Sequence, residues 1–153
     1  MNVMNKSRRL VLKSLALIGS LPLLSNTALA AWPKDAFSKN KTEEALNDLY
    51  GMGGEASDAI VLKAPDIAEN GAVVPVKVTV KDGIEGVTNI SIFIDTNPNP
   101  LAATFELTES SVAEVSTRVK MGKSSNVMAA VQAGDKVYTA SKEVKVTIGG
   151  CGG

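Results

Sequence analysis

From Ile60 to Ile148, apolar side chains recur at every second position in one short segment after another. The stretch "VPVKVTV" at 74–80 is one example, in which valine alternates with proline, lysine and threonine. Because successive side chains of a β-strand point to opposite faces of a sheet, this alternation predicts half-buried strands. Pro75 cannot donate a hydrogen bond to a neighbouring strand, so we expect part of this strand to lie at a sheet edge.

Seven short strands are predicted, separated by turn sequences such as "TNPNP", "GKSSN" and Gly134-Asp135. They are "GAVVPVKVTVKDG", "VTNISIFID", "LAATFELT", "VAEVSTRVK", "VMAAVQA", "VYTA" and "KEVKVTI". No helix intervenes, and turns recur every eight to twelve residues, a pattern typical of an immunoglobulin-like antiparallel β-sandwich. We place this all-β domain at residues 59–148. In its last strand we expect Val144, Val146 and Ile148 to face the core.

A short helix is predicted ahead of the strands, within residues 33–51. Thr42 is a suitable N-cap, Glu43 and Glu44 suit the positive end of the helix dipole, and Gly51 can terminate the helix. The glycine-rich stretch "GMGGEASDA" then connects the helix to the first strand. We therefore treat residues 31–58 as a helical segment with its connector.

The N-terminus, residues 1–30, has the pattern of a twin-arginine export signal. The sequence "SRRLVLK" contains Arg8 and Arg9, an apolar run of eleven residues from Ser14 to Leu24 follows, and Ala28-Leu29-Ala30 supplies a small-x-small cleavage site. The apolar run is shorter than the roughly 20 residues that span a bilayer. We expect cleavage after Ala30, a periplasmic location and no membrane attachment after cleavage.

Composition excludes several functions for the chain that remains. All sixteen acidic residues but only twelve of the sixteen basic ones follow Ala30, which gives a net charge of −4 without a basic cluster. Nucleic-acid binding requires a cationic surface, so we exclude it. The chain has no histidine, which removes imidazole metal sites and any Ser–His or Cys–His catalytic pair. We expect no cofactor and no independent enzymatic activity.

The single cysteine, Cys151, lies in the terminal sequence "VKVTIGGCGG". Glycines at 149, 150, 152 and 153 flank it, so no neighbouring side chain can pack around it. A lone cysteine in an exported protein indicates either an intermolecular disulfide or a free reactive thiol. Without a base of its own, the thiol is expected to be a group on which other proteins act. Residues 149–153 would then be a flexible arm that enters narrow sites.

Three stretches carry a resemblance to a known family: the terminal "VKVTIGGCGG", the segment "APDIAENGAVVPVKV" and the segment "NPNPLAATF". The chain resembles the SoxY family of sulfur-oxidation carrier proteins over nearly all of the sequence after Ala30. The twin-arginine leader agrees with this resemblance.

The resemblance implies an immunoglobulin-like subunit that pairs with a SoxZ-like β-sandwich subunit in a heterodimer. It implies that Cys151 carries thiosulfate-derived sulfur as an S-thiosulfonate and then as sulfane sulfur. Gly149, Gly150, Gly152 and Gly153 would form the swinging arm. The partners would be a haem c-containing thiosulfate-conjugating enzyme, a sulfate-releasing hydrolase and a sulfane dehydrogenase. A different interpretation remains open, in which an exported structural or adhesive subunit uses Cys151 for a disulfide to its neighbour.

Overall fold

A computed structural model describes residues 33–148 of the chain. One 3-10 turn, one α-helix and nine strands make up this part. The 3-10 turn is Ala36–Ser38 and helix α1 is Thr42–Tyr50. The strands are β1 Glu55–Ala56, β2 Ile60–Lys63, β3 Ile67–Ala68, β4 Val74–Val80, β5 Val87–Ile94, β6 Leu101–Glu106, β7 Glu114–Val119, β8 Ser125–Ala133 and β9 Lys136–Val146.

The strands form two sheets. The larger has the order β1-β9-β8-β5-β6, with β3 also paired to β9, and the smaller has the order β2-β4-β7. Neighbouring strands are antiparallel except β1 and β3, which run parallel to β9. The prediction of a mostly β fold with one short helix is confirmed.

One apolar cluster joins the two sheets. The alternating valines of β4 contribute Val74, Val76 and Val78, and every second residue of β5 contributes from the other sheet. Its fully buried β5 members are Ile90, Ile92 and Ile94. The period-two pattern therefore identified the core face of both strands correctly, since side chains of one parity share one face.

Strand β5 is buried on its other face as well, because helix α1 covers it. Phe93 is completely buried and belongs to a second cluster with Ala45 and Leu46 of the helix and Ala36 of the 3-10 turn. Gly51 follows the last helical residue, has a positive φ of 72° and donates its N–H to the Asn47 carbonyl. Helices commonly end with a residue in the left-handed conformation at this position, and glycine is preferred there.

The predicted helix start was wrong in detail. Lys41 is the N-cap residue and makes no side-chain capping bond, whereas Thr42 is already helical. The Thr42 hydroxyl instead donates to Asp95 Oδ1 at 2.8 Å, a residue that follows β5. Thr42 does not act as the cap because it already lies within the helix, and local sequence does not contain its long-range contact with Asp95.

Strand boundaries also differ from the predicted set. The segments "VYTA" and "KEVKVTI" form one continuous strand, β9, and the short strands β1, β2 and β3 were not predicted as strands. The turn at Gly134-Asp135 is confirmed, because Ala133 pairs with Lys136 across it and Gly134 has a φ of 57°.

Pro75 lies in β4 at a point where strand β2 no longer pairs with it. Strand β2 pairs with β4 only from Val80 to Lys77, so the β2 side of β4 is open at Pro75. On its other side Pro75 lies opposite Arg118 of β7. The prediction of a partial edge is confirmed, because a proline is tolerated where no ladder hydrogen bond is needed.

Candidate functional site at the root of the C-terminal segment

All of the predicted site residues lie outside residues 33–148. This applies to Cys151, to the glycines at 149, 150, 152 and 153, and to Arg8 and Arg9 with the whole leader 1–30. Their roles stay predictions. The structure does describe residues 145–148, from which Cys151 follows within three positions, and we call these residues the tail root.

One side of the tail root is bound to the backbone of residues 66–71. Lys145 donates its N–H to the Asp66 carbonyl at 3.0 Å, and Thr147 donates to the Ala68 carbonyl at 3.1 Å. Gly71 then donates its N–H to the carbonyl of Ile148 at 2.8 Å. Hydrogen bonds therefore continue to the last described residue, beyond the end of β9 itself.

The other side of the tail root is held by a side chain. The ladder between β8 and β9 begins with Ser125 opposite Val144, so the backbone of Val146 has passed the end of β8. The Ser124 hydroxyl accepts the Val146 N–H at 2.9 Å and takes the place of a further ladder partner. Because both sides are bonded, the chain enters its last five residues from a fixed position.

Exposed apolar side chains lie in and beside the tail root. Ile148 belongs to it and is 65% exposed, and Ile67, which pairs with Lys145, is 58% exposed. The expectation that Ile148 faces the core is therefore wrong. Val144 is the fully buried member of β9, Val146 is partly buried, and Ile148 lies two residues past the end of the strand, where the core has ended.

The sequence analysis did not identify a group of basic side chains on the outer face of the smaller sheet. Lys63 of β2 lies directly opposite Lys77 of β4, and Arg118 of β7 lies opposite Pro75. The alternating pattern indicated that these side chains point away from the core. It did not indicate that β4 lies between β2 and β7, so their proximity could not be read from the sequence.

One carboxylate lies among these cations. Lys77 Nζ is 2.7 Å from Glu114 Oε1, and the Thr79 hydroxyl donates to Glu114 Oε2 at 3.1 Å. The hydrogen bond from Lys77 is the main cause that lowers the pKa of Glu114, with smaller contributions from Thr79 and from the charge of Lys63. The carboxylate stays ionised and compensates one of the cations.

Residues 33–148 contain no cluster of three or more possible metal ligands, and within them no helix is long and apolar enough to cross a membrane. A cavity of about 600 Å³ lies between β2 and β9, with Asp58 and Lys142 as its charged residues. Lys142 already donates to the Ala64 carbonyl at 2.6 Å and pairs with Asp66 at 2.9 Å, so it is not available as a reactive group there.

Comparison with known proteins gives a family match over most of the chain. The model of the family "Sulfur oxidation protein SoxY" matches residues 46–151, a range that includes Cys151. Among solved structures, the sulfur carrier protein SoxY from Chlorobium limicola f. thiosulfatophilum is 47% identical, with a TM-score of 0.63. That match covers 71% of this chain and 97% of the Chlorobium chain.

Two further solved structures are more distant. An endo-beta-1,4-mannanase from Thermotoga petrophila matches at 14% identity and a TM-score of 0.44, covering 69% of this chain and 23% of that one. A lytic polysaccharide monooxygenase from Jonesia denitrificans matches at 9% identity and a TM-score of 0.38, covering 62% and 58%. These two carry no argument. Among curated proteins, none matches this chain. The family match and the likeness to the Chlorobium protein together establish that the chain belongs to the SoxY family of sulfur oxidation proteins.

Proposed function

We propose that this chain is a periplasmic sulfur carrier of thiosulfate oxidation, with Cys151 as the covalent attachment point. The observation that carries the proposal is the family match, which extends to Cys151 itself. The 47% identity to a sulfur carrier protein supports the same role. The chain has only one cysteine and no histidine, so any covalently carried sulfur would be attached at Cys151.

The tail root supports a carrier role in physical terms. Hydrogen bonds fix the chain as far as Ile148, and three extended residues reach at most ~10 Å. Gly149, Gly150, Gly152 and Gly153 would form the swinging arm, since glycine adds no bulk at a narrow entrance and has the widest backbone freedom. Ordering such an arm in an active site costs roughly 1–2 kcal/mol per residue, which favours release after each step.

The loading step is an oxidation that the chain does not perform by itself. The Cys151 thiol and thiosulfate would join through a new sulfur–sulfur bond to give a cysteine S-thiosulfonate, with loss of one proton and two electrons. A haem c-containing enzyme would accept the electrons. A hydrolase would then add water to the terminal sulfone, release sulfate and leave sulfane sulfur on Cys151 for a sulfane dehydrogenase.

Further features belong to the same proposal. The two sheets would form an immunoglobulin-like sandwich, and a SoxZ-like β-sandwich subunit would complete a heterodimer. Export would use the twin-arginine route, through Arg8 and Arg9. Since this route transports folded proteins, the subunit would cross the membrane with its partner already bound.

The test is intact-mass spectrometry of the protein from cells grown with and without thiosulfate. We expect adducts of sulfur atoms or of sulfonate on the wild type only with thiosulfate, and none on Cys151→Ser. The variant should unfold at the same temperature as the wild type, because Cys151 follows the last strand described among residues 33–148 by five positions. It should lose thiosulfate-dependent electron transfer in a reconstituted system.

Two results would contradict the carrier function. Turnover of Cys151→Ser near the wild-type rate would remove the thiol from the pathway. A stable disulfide between two chains that never exchanges during growth on thiosulfate would instead support the structural or adhesive subunit.

A further inference from the structure

Four positively charged side chains lie on the outer face of the smaller sheet. Its exposed or half-exposed cations are Lys63, Lys77, Arg118 and Lys120. We call these four residues the cationic face. Lys120 follows the buried Val119, so by alternation it points to the same side as Arg118. Residues after Ala30 have a net charge of −4, so this face has the opposite sign to the molecule.

The charges on this face are only partly compensated. Lys77 pairs with Glu114, but Lys63, Arg118 and Lys120 make no salt bridge to any residue in the range 33–148. Lys63 also lies directly opposite Lys77 in the β2–β4 ladder. Like charges at directly opposed positions destabilise a sheet. Lys63 interacts favourably with the Glu114 carboxylate, but no salt bridge among residues 33–148 holds Lys63, Arg118 or Lys120, so all three are available to an external partner.

A groove of about 290 Å³ opens in the middle of the cationic face. Pro65, Pro75 and Ser116 line it together with Lys63 and Lys77. It exists because β2 stops pairing at Lys63, which leaves the edge of β4 open at Pro75. The two proline rings and the unpaired Lys63 suit a single acidic side chain, whose methylene groups would contact the rings while its carboxylate meets the Lys63 ammonium, since Lys77 is already paired with Glu114.

The cationic face leads directly to the tail root. Lys120 is followed by Met121, which donates its N–H to the Gly71 carbonyl at 2.7 Å. Gly71 in turn donates to the Ile148 carbonyl at 2.8 Å. A protein whose site receives Cys151 must approach within ~10 Å of Ile148, since three extended residues reach no farther. Its surface therefore meets this side of the molecule.

We propose that the cationic face is the docking surface for the proteins that act on Cys151, and that those proteins present a carboxylate-rich surface beside the entrance of their sites. This rests on the proposed carrier function and names the surface that the carrier uses. The partner is transient, because the face itself is mostly charged. Charge complementarity of this kind raises association rates and is weakened by salt.

Kinetics with two matched double variants test the proposal. Lys63→Gln with Arg118→Gln removes two charges from the cationic face without breaking a salt bridge among residues 33–148. Lys34→Gln with Lys136→Gln removes two exposed charges elsewhere and gives the same net charge. The measured quantity is kcat/KM for loading of Cys151 by the haem c-containing thiosulfate-conjugating enzyme, at several concentrations of NaCl.

We expect the face variant to lose about tenfold or more in kcat/KM at low ionic strength and to approach the wild type in high salt. The control variant should match the wild type throughout. An equal fall in both variants would mean that only net charge matters and would overturn the proposal. So would an unchanged rate in the face variant. Absence of loading in the wild type would instead contradict the carrier function.

A second measurement does not depend on the carrier function. Poly-L-glutamate is titrated into the isotopically labelled protein, and backbone amide shifts are followed by NMR. We expect shifts around Lys63, Lys77 and Arg118 in the wild type, and their loss in the face variant but not in the control. Shifts spread over all exposed lysines, or no shifts on this face, would show that it does not recognise an acidic polypeptide.

Discussion

Tyr50 is the side chain that ties helix α1 to the larger sheet. Its hydroxyl lies 2.7 Å from Asn89 Oδ1 and 2.8 Å from Ser91 Oγ, both on β5. Ser91 and Thr104 extend the network to β6 through a hydroxyl–hydroxyl bond of 2.9 Å. Burial raises the pKa of Tyr50 from 10.0 to about 12, although the hydrogen bond with Ser91 acts in the opposite direction.

This pKa predicts how stability changes with pH. In the unfolded chain the phenol ionises near 10.0 and in the folded chain near 12, so its contribution is complete below pH 10.0 and is lost as pH rises toward 12. The loss amounts to roughly 2–3 kcal/mol of unfolding free energy. Urea unfolding of wild type and Tyr50→Phe, at about pH 9 and about pH 11.5, measures it.

Comparison with Tyr50→Phe separates the effect of Tyr50 on stability from that of other groups that titrate in this pH range. Tyr50→Phe should be less stable than the wild type by about 1–3 kcal/mol at the lower pH, since it leaves polar groups of the network without a partner. The difference should shrink at the higher pH, because only the wild type loses the contribution of Tyr50. A difference that stays the same at both pH values would contradict the assigned pKa.

At the scale of elements, Gly54 sets how closely the connector approaches strand β9. An added Cβ at Gly54 would collide with Thr139 Cγ2 and would lie 3.5 Å from Val137 Cγ1. The next residues form β1, in which Glu55 pairs with Tyr138 and Ala56 pairs with Thr139. The connector thus becomes a strand only because glycine allows this approach.

We expect Gly54→Ala to lower the unfolding free energy by about 1–3 kcal/mol, as overpacking does. Gly53→Ala is the matched control, because nothing lies within 4 Å of a Cβ at that position. Thr139→Ser removes the colliding methyl group and should restore most of the stability in the double variant. Equal denaturation midpoints for Gly53→Ala and Gly54→Ala would show that no close approach exists.

Larger side chains in the five C-terminal residues give a second test at this scale. If Cys151 enters enclosed active sites, Gly150→Val or Gly152→Val should slow its enzymatic loading strongly. A loss of ~3 kcal/mol in transition-state stabilisation corresponds to about a hundredfold in rate. The β-branched side chain adds bulk and excludes the backbone from positive φ.

Alkylation of the isolated protein by iodoacetamide is the control for that experiment. A small reagent in water needs no narrow entrance, so its rate should be nearly unchanged. If alkylation and loading slow together, the substitution has altered the thiol itself. If neither slows, partners reach Cys151 on an open surface and the residues around it do not act as a threaded arm.

Sequence alone predicted the elements that repeat with a clear period and missed those that depend on pairing. The alternation in "VPVKVTV" gave the buried face of β4, and Pro75 gave its open edge. Short β1 and β3 have two residues each and exist only because β9 pairs with them, so no period could reveal them. Cys151 could be identified from the sequence because it is the single cysteine. The cationic face could be identified only once the strand order β2-β4-β7 was known.

For the whole molecule, the twin-arginine leader predicts the route of export. Arg8→Lys together with Arg9→Lys should retain the precursor in the cytoplasm, while Lys6→Arg together with Lys13→Arg conserves charge outside the pair and should leave export normal. Cell fractionation with detection of the cleaved form measures the outcome. Normal amounts of periplasmic mature protein from the double-lysine variant would contradict the assigned route.

The hydrogen bond between Gly71 and Ile148 has a consequence for binding strength. It limits the thiol to the volume within ~10 Å of a fixed point, because only three residues separate that point from Cys151. Once a partner has docked, its site therefore meets the thiol at an effective concentration on the order of millimolar or above. If Cys151 carries sulfur as proposed, docking itself can be weak and brief, since the covalent bond would retain the sulfur and proximity would drive the reaction. Such a carrier would leave each partner quickly without losing what it carries.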